Sequence, residues 1–190
     1  FSPTIMTDYE LLRTPDEILA EIGEKSWWKL TFLICLTSLG WAMLALIIMP
    51  SSFYETKPAN STFITIAEEY ELSAQSREWV STVFMMGMMV GGMTTSQLSD
   101  RLGRRPLLIG SSLSISILTL LVSQAPTFEW LLVLRVLQGA CYTSLGQSSW
   151  TAGFESTPIE WRAKNSFIYG ISWVVGYLAL APIAYYADSW

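Results

Sequence analysis

Histidine is absent from the 190 residues of this chain, and Lys, Arg, Asp and Glu together make up only 14% of it. The lack of histidine excludes Ser-His-Asp triads, His-containing zinc sites and histidine general bases. The two cysteines, Cys35 and Cys141, lie in apolar runs and do not form a disulfide framework. The net charge of -5 leaves no basic surface for nucleic acid. We expect a non-enzymatic protein with no metal site, no cofactor and no nucleic-acid partner.

Hydrophobic residues, in contrast, make up 51% of the chain and are concentrated in long runs. A helix needs about 20 residues, at about 1.5 Å each, to cross about 30 Å of hydrocarbon. Five runs reach that length: 27–49, 80–98, 106–124, 128–150 and 166–187. None of them shows the strict alternation of a barrel strand. The pattern predicts an all-α, multi-pass integral membrane protein with five transmembrane helices.

The Lys and Arg residues between these runs predict which side of the membrane each connection faces. Cytoplasmic connections carry the positive excess. With the amino terminus in the cytoplasm, the inner segments contain Arg13, Lys25, Lys29, Arg101, Arg104, Arg105, Arg162 and Lys164, and the outer loop contains only Lys57 and Arg77. Residues 1–26, 99–105 and 151–165 are therefore predicted to be cytoplasmic, and 50–79 extracellular. Within 1–26, Ile18, Leu19 and Ile22 predict a short amphipathic helix.

The predicted extracellular loop contains a glycosylation acceptor. Asn60-Ser61-Thr62 has the N-x-T pattern, which is used only where the loop faces the lumen during synthesis. The charge pattern places the loop on that side. We therefore predict a glycan on Asn60.

The connection between the second and third runs carries a family resemblance. It reads Leu98-Ser99-Asp100-Arg101-Leu102-Gly103-Arg104-Arg105-Pro106. This string resembles the signature loop of the major facilitator superfamily, G-x-L-a-D-R-x-G-R-R/K, with Ser96 in place of the leading glycine. Residues 135–139 resemble the R-x-x-x-G element of the same superfamily. The segment from Glu155 to Arg162 resembles the loop that follows it.

Within that superfamily, residues 16–23 resemble the amino-terminal segment of the organic cation and anion transporters of the solute carrier group. Members have twelve helices in two halves, each built from inverted three-helix repeats, and bind substrate near the midplane. The resemblance implies the amino-terminal part of this fold, one three-helix repeat plus two helices of the next. We expect a fragment whose partners are membrane lipid, a small organic ion and the missing carboxy-terminal half.

The implied function is transport of small organic ions across the plasma membrane by alternating access, with organic cations favoured. One departure concerns Tyr142, which stands where cation-transporting members have a lysine. Two alternatives stay open. One is a transporter of another branch, for sugars or drugs, and the other is a truncated membrane protein that does not transport.

The resemblance also implies a cytoplasmic charge network that stabilises one state of the transport cycle. The matching positions are Asp100, Arg101, Gly103, Arg104, Arg105, Glu155 and Arg162. Solvated surface ion pairs are the alternative interpretation of these charges.

Arg135 is the one charged residue inside a predicted span away from its ends. An intramembrane charge is costly to bury and indicates a functional site, although structural pairing is the alternative.

Aromatic faces suit organic cations, and the candidate substrate contacts are Trp41, Tyr142, Trp150, Trp173 and Tyr177. Helix packing or placement at the membrane interface is the alternative role of these rings. Gly87 and Gly91 form a GxxxG face that predicts close helix packing.

Overall fold

The computed structural model describes residues 15–48 and 65–186, and within those ranges every regular element is a helix. In chain order the helices are α1 Pro15–Lys25, α2 Trp27–Ile48, α3 Ile66–Glu69, α4 Ala74–Leu102, α5 Arg104–Val122, α6 Phe128–Glu155 and α7 Ile159–Tyr186. The long helices α2, α4, α5, α6 and α7 correspond to the five predicted runs. Asn60 and its acceptor sequence lie outside the described residues.

Three of the long helices extend well beyond the predicted runs. α4 and α6 begin with the capping residues Ser73 and Thr127, whose hydroxyls accept from the backbone N–H of Ser76 and Trp130. Such caps satisfy amide groups that have no partner within the helix. The cap at Ser73 therefore lets α4 begin before its apolar run, which hydropathy alone does not detect, whereas α6 begins at the predicted residue and extends only at its carboxyl end. The predicted loop 151–165 accordingly shrinks to the turn between Glu155 and Ile159.

The predicted signature loop 99–105 is also mostly helical. Gly103 alone separates α4 from α5, with φ 88° and ψ 164°. L-residues rarely adopt such a positive φ, whereas glycine does so at little cost. A single residue therefore reverses the chain, and Asp100 and Arg104 end up on two adjoining helices rather than in a loop.

The glycine face of α4 packs directly on α6, which confirms the predicted close packing. A Cβ atom at Gly87 would lie 2.0 Å from the Val136 carbonyl oxygen, and one at Gly91 would lie 2.5 Å from that of Ala140. Gly139 makes the reciprocal approach from α6, since its Cβ would lie 2.2 Å from the Phe84 carbonyl oxygen. Small residues let the two backbones meet.

A second close crossing joins α2 and α7. A Cβ atom at Gly176 would lie 2.3 Å from the Ala42 carbonyl oxygen, and the Ser172 hydroxyl donates to Ser38 at 2.9 Å. If α2, α4 and α5 form one repeat and α6 begins the next, the first helix of each repeat packs on the second helix of the other. This exchange of partners is typical of inverted repeats.

The outer surface of the bundle is apolar. Large exposed side chains include Phe32, Met89, Met93, Ile109, Leu113, Leu120, Phe167, Val175 and Leu178. In the described part of the chain, three helical segments have the length and apolarity to cross a membrane: Trp27–Ile48, Arg104–Val122 and Ile159–Ile183. An apolar belt of this extent is compatible with lipid rather than with water. The chain is an integral membrane protein.

Candidate functional site

A cavity of about 560 Å³ opens between α2, α4, α6 and α7. Its walls consist of Trp41, Leu44, Met88, Thr95, Ser96, Ser99, Arg104, Tyr142, Thr143, Gly146, Gln147, Ser148, Trp150, Thr151 and Trp173. Aromatic rings line one part, and hydroxyl and amide groups line the part that leads to Arg104. The volume is within the usual range of small-molecule sites. The cavity can therefore hold a small amphipathic molecule.

Trp41 of α2 is the centre of the aromatic part. Its ring centroid lies 5.3 Å from that of Trp150, 5.9 Å from that of Trp173 and 5.8 Å from that of Tyr169. The rings of Trp41, Trp173 and Tyr169 meet edge to face, an arrangement that aromatic quadrupoles favour. Rings that pack on one another are held rigidly, so the cavity has a defined shape before a ligand enters.

The structure brings four of the five predicted aromatic contacts to the cavity. Tyr142 is buried against Phe84, with centroids 5.4 Å apart, and lines the wall near Met88. Tyr177 does not line it and is 52% exposed on the outside of α7. Tyr177 lies one helical turn beyond Trp173, so the spacing alone predicts both rings on one face, and the packing of the bundle separates them.

Arg104 lies at the polar end of the cavity and is paired with Glu155. Its Nε donates to Oε2 at 3.0 Å, its Nη2 donates to Oε1 at 2.7 Å, and its Nη1 donates to the Ser99 hydroxyl at 2.6 Å. The two parallel bonds to one carboxylate form a bidentate pair, which fixes both position and orientation. This pair links the start of α5 to the end of α6.

The other predicted network residues are not joined to this pair. Arg162 bonds Asp16 of α1 instead, at 3.4 Å, with both side chains nearly half exposed. Asp100, Arg101 and Arg105 are exposed and make no side-chain hydrogen bond or ion pair in the described part of the chain. The reason is geometric, because α4 remains helical to Leu102 and directs successive side chains about 100° apart. Only Ser99 faces Arg104.

Arg135 is buried, at 4% exposure, within a polar chain that crosses from α6 to α5. Its Nη1 donates to the Gln138 side-chain oxygen at 3.1 Å, and Gln138 Nε2 donates to the Thr119 hydroxyl at 3.0 Å. Its guanidinium carbon also lies 5.8 Å from the centroid of the Phe84 ring. Since Arg135 does not line the large cavity, the geometry supports the structural alternative for this residue.

On the opposite side of the bundle, Tyr70 attaches the short helix α3 to the turn between α5 and α6. Its hydroxyl donates to the Ala125 carbonyl at 2.6 Å, and its ring lies 6.2 Å from that of Phe128. Burial first, and the Glu69 carboxylate second, raise the pKa of Tyr70 above its ordinary value of 10.0. The neutral, donating form is therefore present at physiological pH.

Sequence reasoning did not identify Ser99, Gln138, Thr119 and Asp16 as partners of the charged groups. Gln138 carried a usable signal, because it follows Arg135 by three residues and such pairs meet on one helix face. Ser99 carried one as well, since it lies inside the signature string. Thr119 and Asp16 gave no such signal, because their contacts with Gln138 and Arg162 span 19 and 146 residues.

Relatives of this chain are found among named transporters. A Caenorhabditis elegans protein with the name "Putative transporter B0252.3" is 30% identical over 179 residues, which cover 92% of this chain and 37% of that protein. Organic anion transporter 3 of Mus musculus is 31% identical over 134 residues, covering 69% of this chain and 25% of the relative. Solute carrier family 22 member 6 of Mus musculus is 33% identical over 135 residues, with the same coverage of 69% and 25%.

The chain thus spans between a quarter and about two fifths of the length of these relatives. The family model described as Major Facilitator Superfamily matches residues 30–190, which include α4 to α7 and α2 from Leu30 onward. The signature string, the crossed packing of the helices and this match agree with one another. The chain belongs to the Major Facilitator Superfamily.

Proposed function

We propose that this chain contributes one wall of the substrate path in a secondary transporter that moves small amphipathic organic anions by alternating access. The observation that carries the proposal is the composition of the cavity wall. Four aromatic rings line it, Arg104 is the only charged residue among the described lining residues, and no carboxylate is among them. Two relatives named organic anion transporter and solute carrier family 22 member support the same substrate class.

The charge of the cavity wall favours anions over the cations that the sequence favoured. A buried ion needs a counter-charge or a set of oriented dipoles. The rings of Trp41, Tyr142, Trp150 and Trp173 would attract a cation through their quadrupoles by about 0.5–2 kcal/mol each. Arg104 presents only N–H donors to the cavity, and its partner Glu155 does not line it, so a cation meets no carboxylate on the described wall. The same rings stack equally well on an aromatic anion, so we favour the anion.

The proposal includes five spanning helices, although among the described residues three helices reach the apolarity typical of lipid-facing spans. α4 and α6, at 29 and 28 residues, extend over about 40 Å. Their polar side chains, such as Thr95, Ser144 and Gln147, face each other or the cavity. Helices that line a substrate path are more polar than helices surrounded by lipid. A position along the substrate path accounts for the low mean hydropathy of α4 and α6 as membrane-spanning helices.

The proposed orientation places the amino terminus, α1 and the Arg104–Glu155 pair in or next to the cytoplasm, and Asn60 outside. The positive-inside rule supports it. Residence in the plasma membrane is proposed with it. In this orientation the Arg104–Glu155 pair would hold α5 and α6 together at the inner end of the cavity. We propose that it stabilises the state in which that end is closed.

Uptake measurements test the substrate class. Cells that express the complete product of the gene encoding this chain should accumulate labelled p-aminohippurate and not labelled tetraethylammonium. Uptake of tetraethylammonium alone would contradict the anion proposal and favour the cation.

A matched pair of variants connects the activity to the cavity. Trp173→Ala removes a ring of the wall and should reduce p-aminohippurate uptake about tenfold, mainly through a higher KM. Tyr177→Ala removes a ring one turn away that does not line the cavity. It should leave uptake within twofold of wild type at equal surface abundance. Equal effects of the two changes would disprove the assignment of this cavity to the cargo.

A further inference from the structure

We propose that the guanidinium of Arg104 is an anion-binding subsite, which holds Glu155 on one edge and receives the carboxylate of the cargo on another. This inference rests on the proposed function, because it requires an anionic cargo in the cavity. It assigns a direct cargo contact to a residue whose expected role was only to pair with other protein charges.

The hydrogen bonds of Arg104 leave two of its donors without an acceptor in the described part of the chain. A guanidinium has five N–H donors in a plane. The Nε–H and one Nη2–H point to Glu155, and one Nη1–H points to Ser99. One N–H on each Nη remains. Donors of this kind bind a carboxylate through charge-assisted hydrogen bonds.

Arg104 can be reached from the cavity. Its side chain is 38% exposed and lines the cavity together with Ser96 and Ser99. Glu155 does not line that cavity and lies instead along a separate groove between α2, α5 and α6. Arg104 therefore stands between the two spaces. A cargo carboxylate would approach from the cavity, and Glu155 holds the group from the groove.

Two local features add to the attraction for an anion. Arg104 is the first residue of α5, whose preceding residue, Gly103, makes no side-chain capping bond. The positive end of the helix dipole is therefore not neutralised by a capping side chain. Ser96 occupies the place of the glycine in the signature string and is exposed to the cavity, so its hydroxyl is available as a further donor.

The shared group couples cargo binding to the inner ion pair. Two carboxylates on one guanidinium divide its positive charge, so an arriving anion weakens the bond to Glu155. By linkage, removal of the Glu155 charge should strengthen cargo binding by the same factor. The cargo would thereby loosen the contact between α5 and α6 at the end of the cavity where Arg104 lies.

Equilibrium binding to the purified complete gene product tests this subsite. The probes are labelled p-aminohippurate and its uncharged amide, p-aminohippuramide. Arg104→Lys keeps the positive charge but removes the planar set of N–H donors. It should weaken p-aminohippurate binding about tenfold and change amide binding by less than twofold. Glu155→Gln should tighten p-aminohippurate binding at least threefold and leave the amide unchanged.

Lys29→Gln is the control for long-range charge effects. Lys29 is an exposed cation at the start of α2 that does not line the cavity. Its removal should change p-aminohippurate binding by less than twofold. If Lys29→Gln weakens binding as much as Arg104→Lys does, the effect arises from long-range electrostatics and not from a contact with Arg104, and the proposal is wrong.

The remaining outcomes separate this inference from the proposed function. If wild type binds p-aminohippurate and Arg104→Lys binds it equally well, the subsite is wrong and the anion function stands. If Arg104→Lys weakens both probes equally, the residue is structural and the subsite is again wrong. If wild type binds neither p-aminohippurate nor its amide, the proposed function and the subsite both fail.

Discussion

At the scale of single residues, buried polar groups of this bundle are joined into short chains that cross between helices. Arg135 is connected through Gln138 to Thr119, and Thr95 is connected to Ser144 at 2.6 Å. A buried charge without such acceptors costs several kcal/mol. The sequence located Arg135 inside a span, but its neighbours on α5 depend on how two helices pack. Its role in the fold is therefore decided by contacts that spacing does not reveal.

We predict that Gln138→Leu destabilises the protein by about 2 kcal/mol, because it removes an acceptor from the buried guanidinium of Arg135. The thermal unfolding midpoint in detergent micelles measures the change. Leu137→Met is the control, since Leu137 is 50% exposed on the adjacent position of the same helix. It should leave the midpoint unchanged. If Gln138→Leu and wild type unfold at the same midpoint, the polar connection from Arg135 through Gln138 to Thr119 contributes no stability.

At the scale of helices, the positions of glycines determine how closely two helix backbones approach each other. Gly91 of α4 lies against the backbone of Ala140, whereas Gly110 of α5 has open space around it. Both are glycines within helices, and only the packing distinguishes them. The GxxxG spacing indicated a close helix contact, which the structure confirms, but it did not indicate that α6 is the partner helix. That assignment requires the three-dimensional arrangement of the bundle.

We predict that Gly91→Ala destabilises the bundle by about 1–3 kcal/mol, because the new Cβ would lie 2.5 Å from the Ala140 carbonyl oxygen and the helices must separate. Gly110→Ala gives the same gain in helix propensity, about 1 kcal/mol, without a clash. It should raise or maintain the unfolding midpoint. The difference between the two midpoints therefore measures the effect of the clash between α4 and α6. Equal midpoints would contradict the close α4–α6 contact.

At the scale of the whole molecule, the charged residues and the apolar belt specify how the bundle sits in a membrane. Eight cations in the predicted inner segments against two in the predicted outer loop are the basis of the proposed orientation. In that orientation the Arg104–Glu155 pair and α1 lie at the cytoplasmic end, and the Tyr70 contact of α3 lies at the extracellular end. The proposed orientation rests on composition alone, since it depends on the number of charges in each connection rather than on their contacts.

We predict that Asn60 carries a glycan, because the proposed orientation would place it outside. Digestion with a peptide N-glycosidase should increase the electrophoretic mobility of the complete gene product. Asn60→Gln should abolish that shift, and Thr62→Ala should do the same, whereas Thr62→Ser retains the acceptor sequence. A wild-type protein with no shift would contradict either the modification or the proposed topology.

The sequence by itself determined the helical fold, the membrane environment and the superfamily, because length, apolarity and the signature string are local properties of the chain. The tertiary structure alone decided that Arg104, and not Asp100 or Arg105, meets Glu155. It also decided that Trp173 faces the cavity whereas Tyr177 faces outward. These outcomes depend on the single-residue turn at Gly103 and on how α7 packs in the bundle. A helix offers several faces to its surroundings, and only the packing of the bundle selects which one lines the cavity.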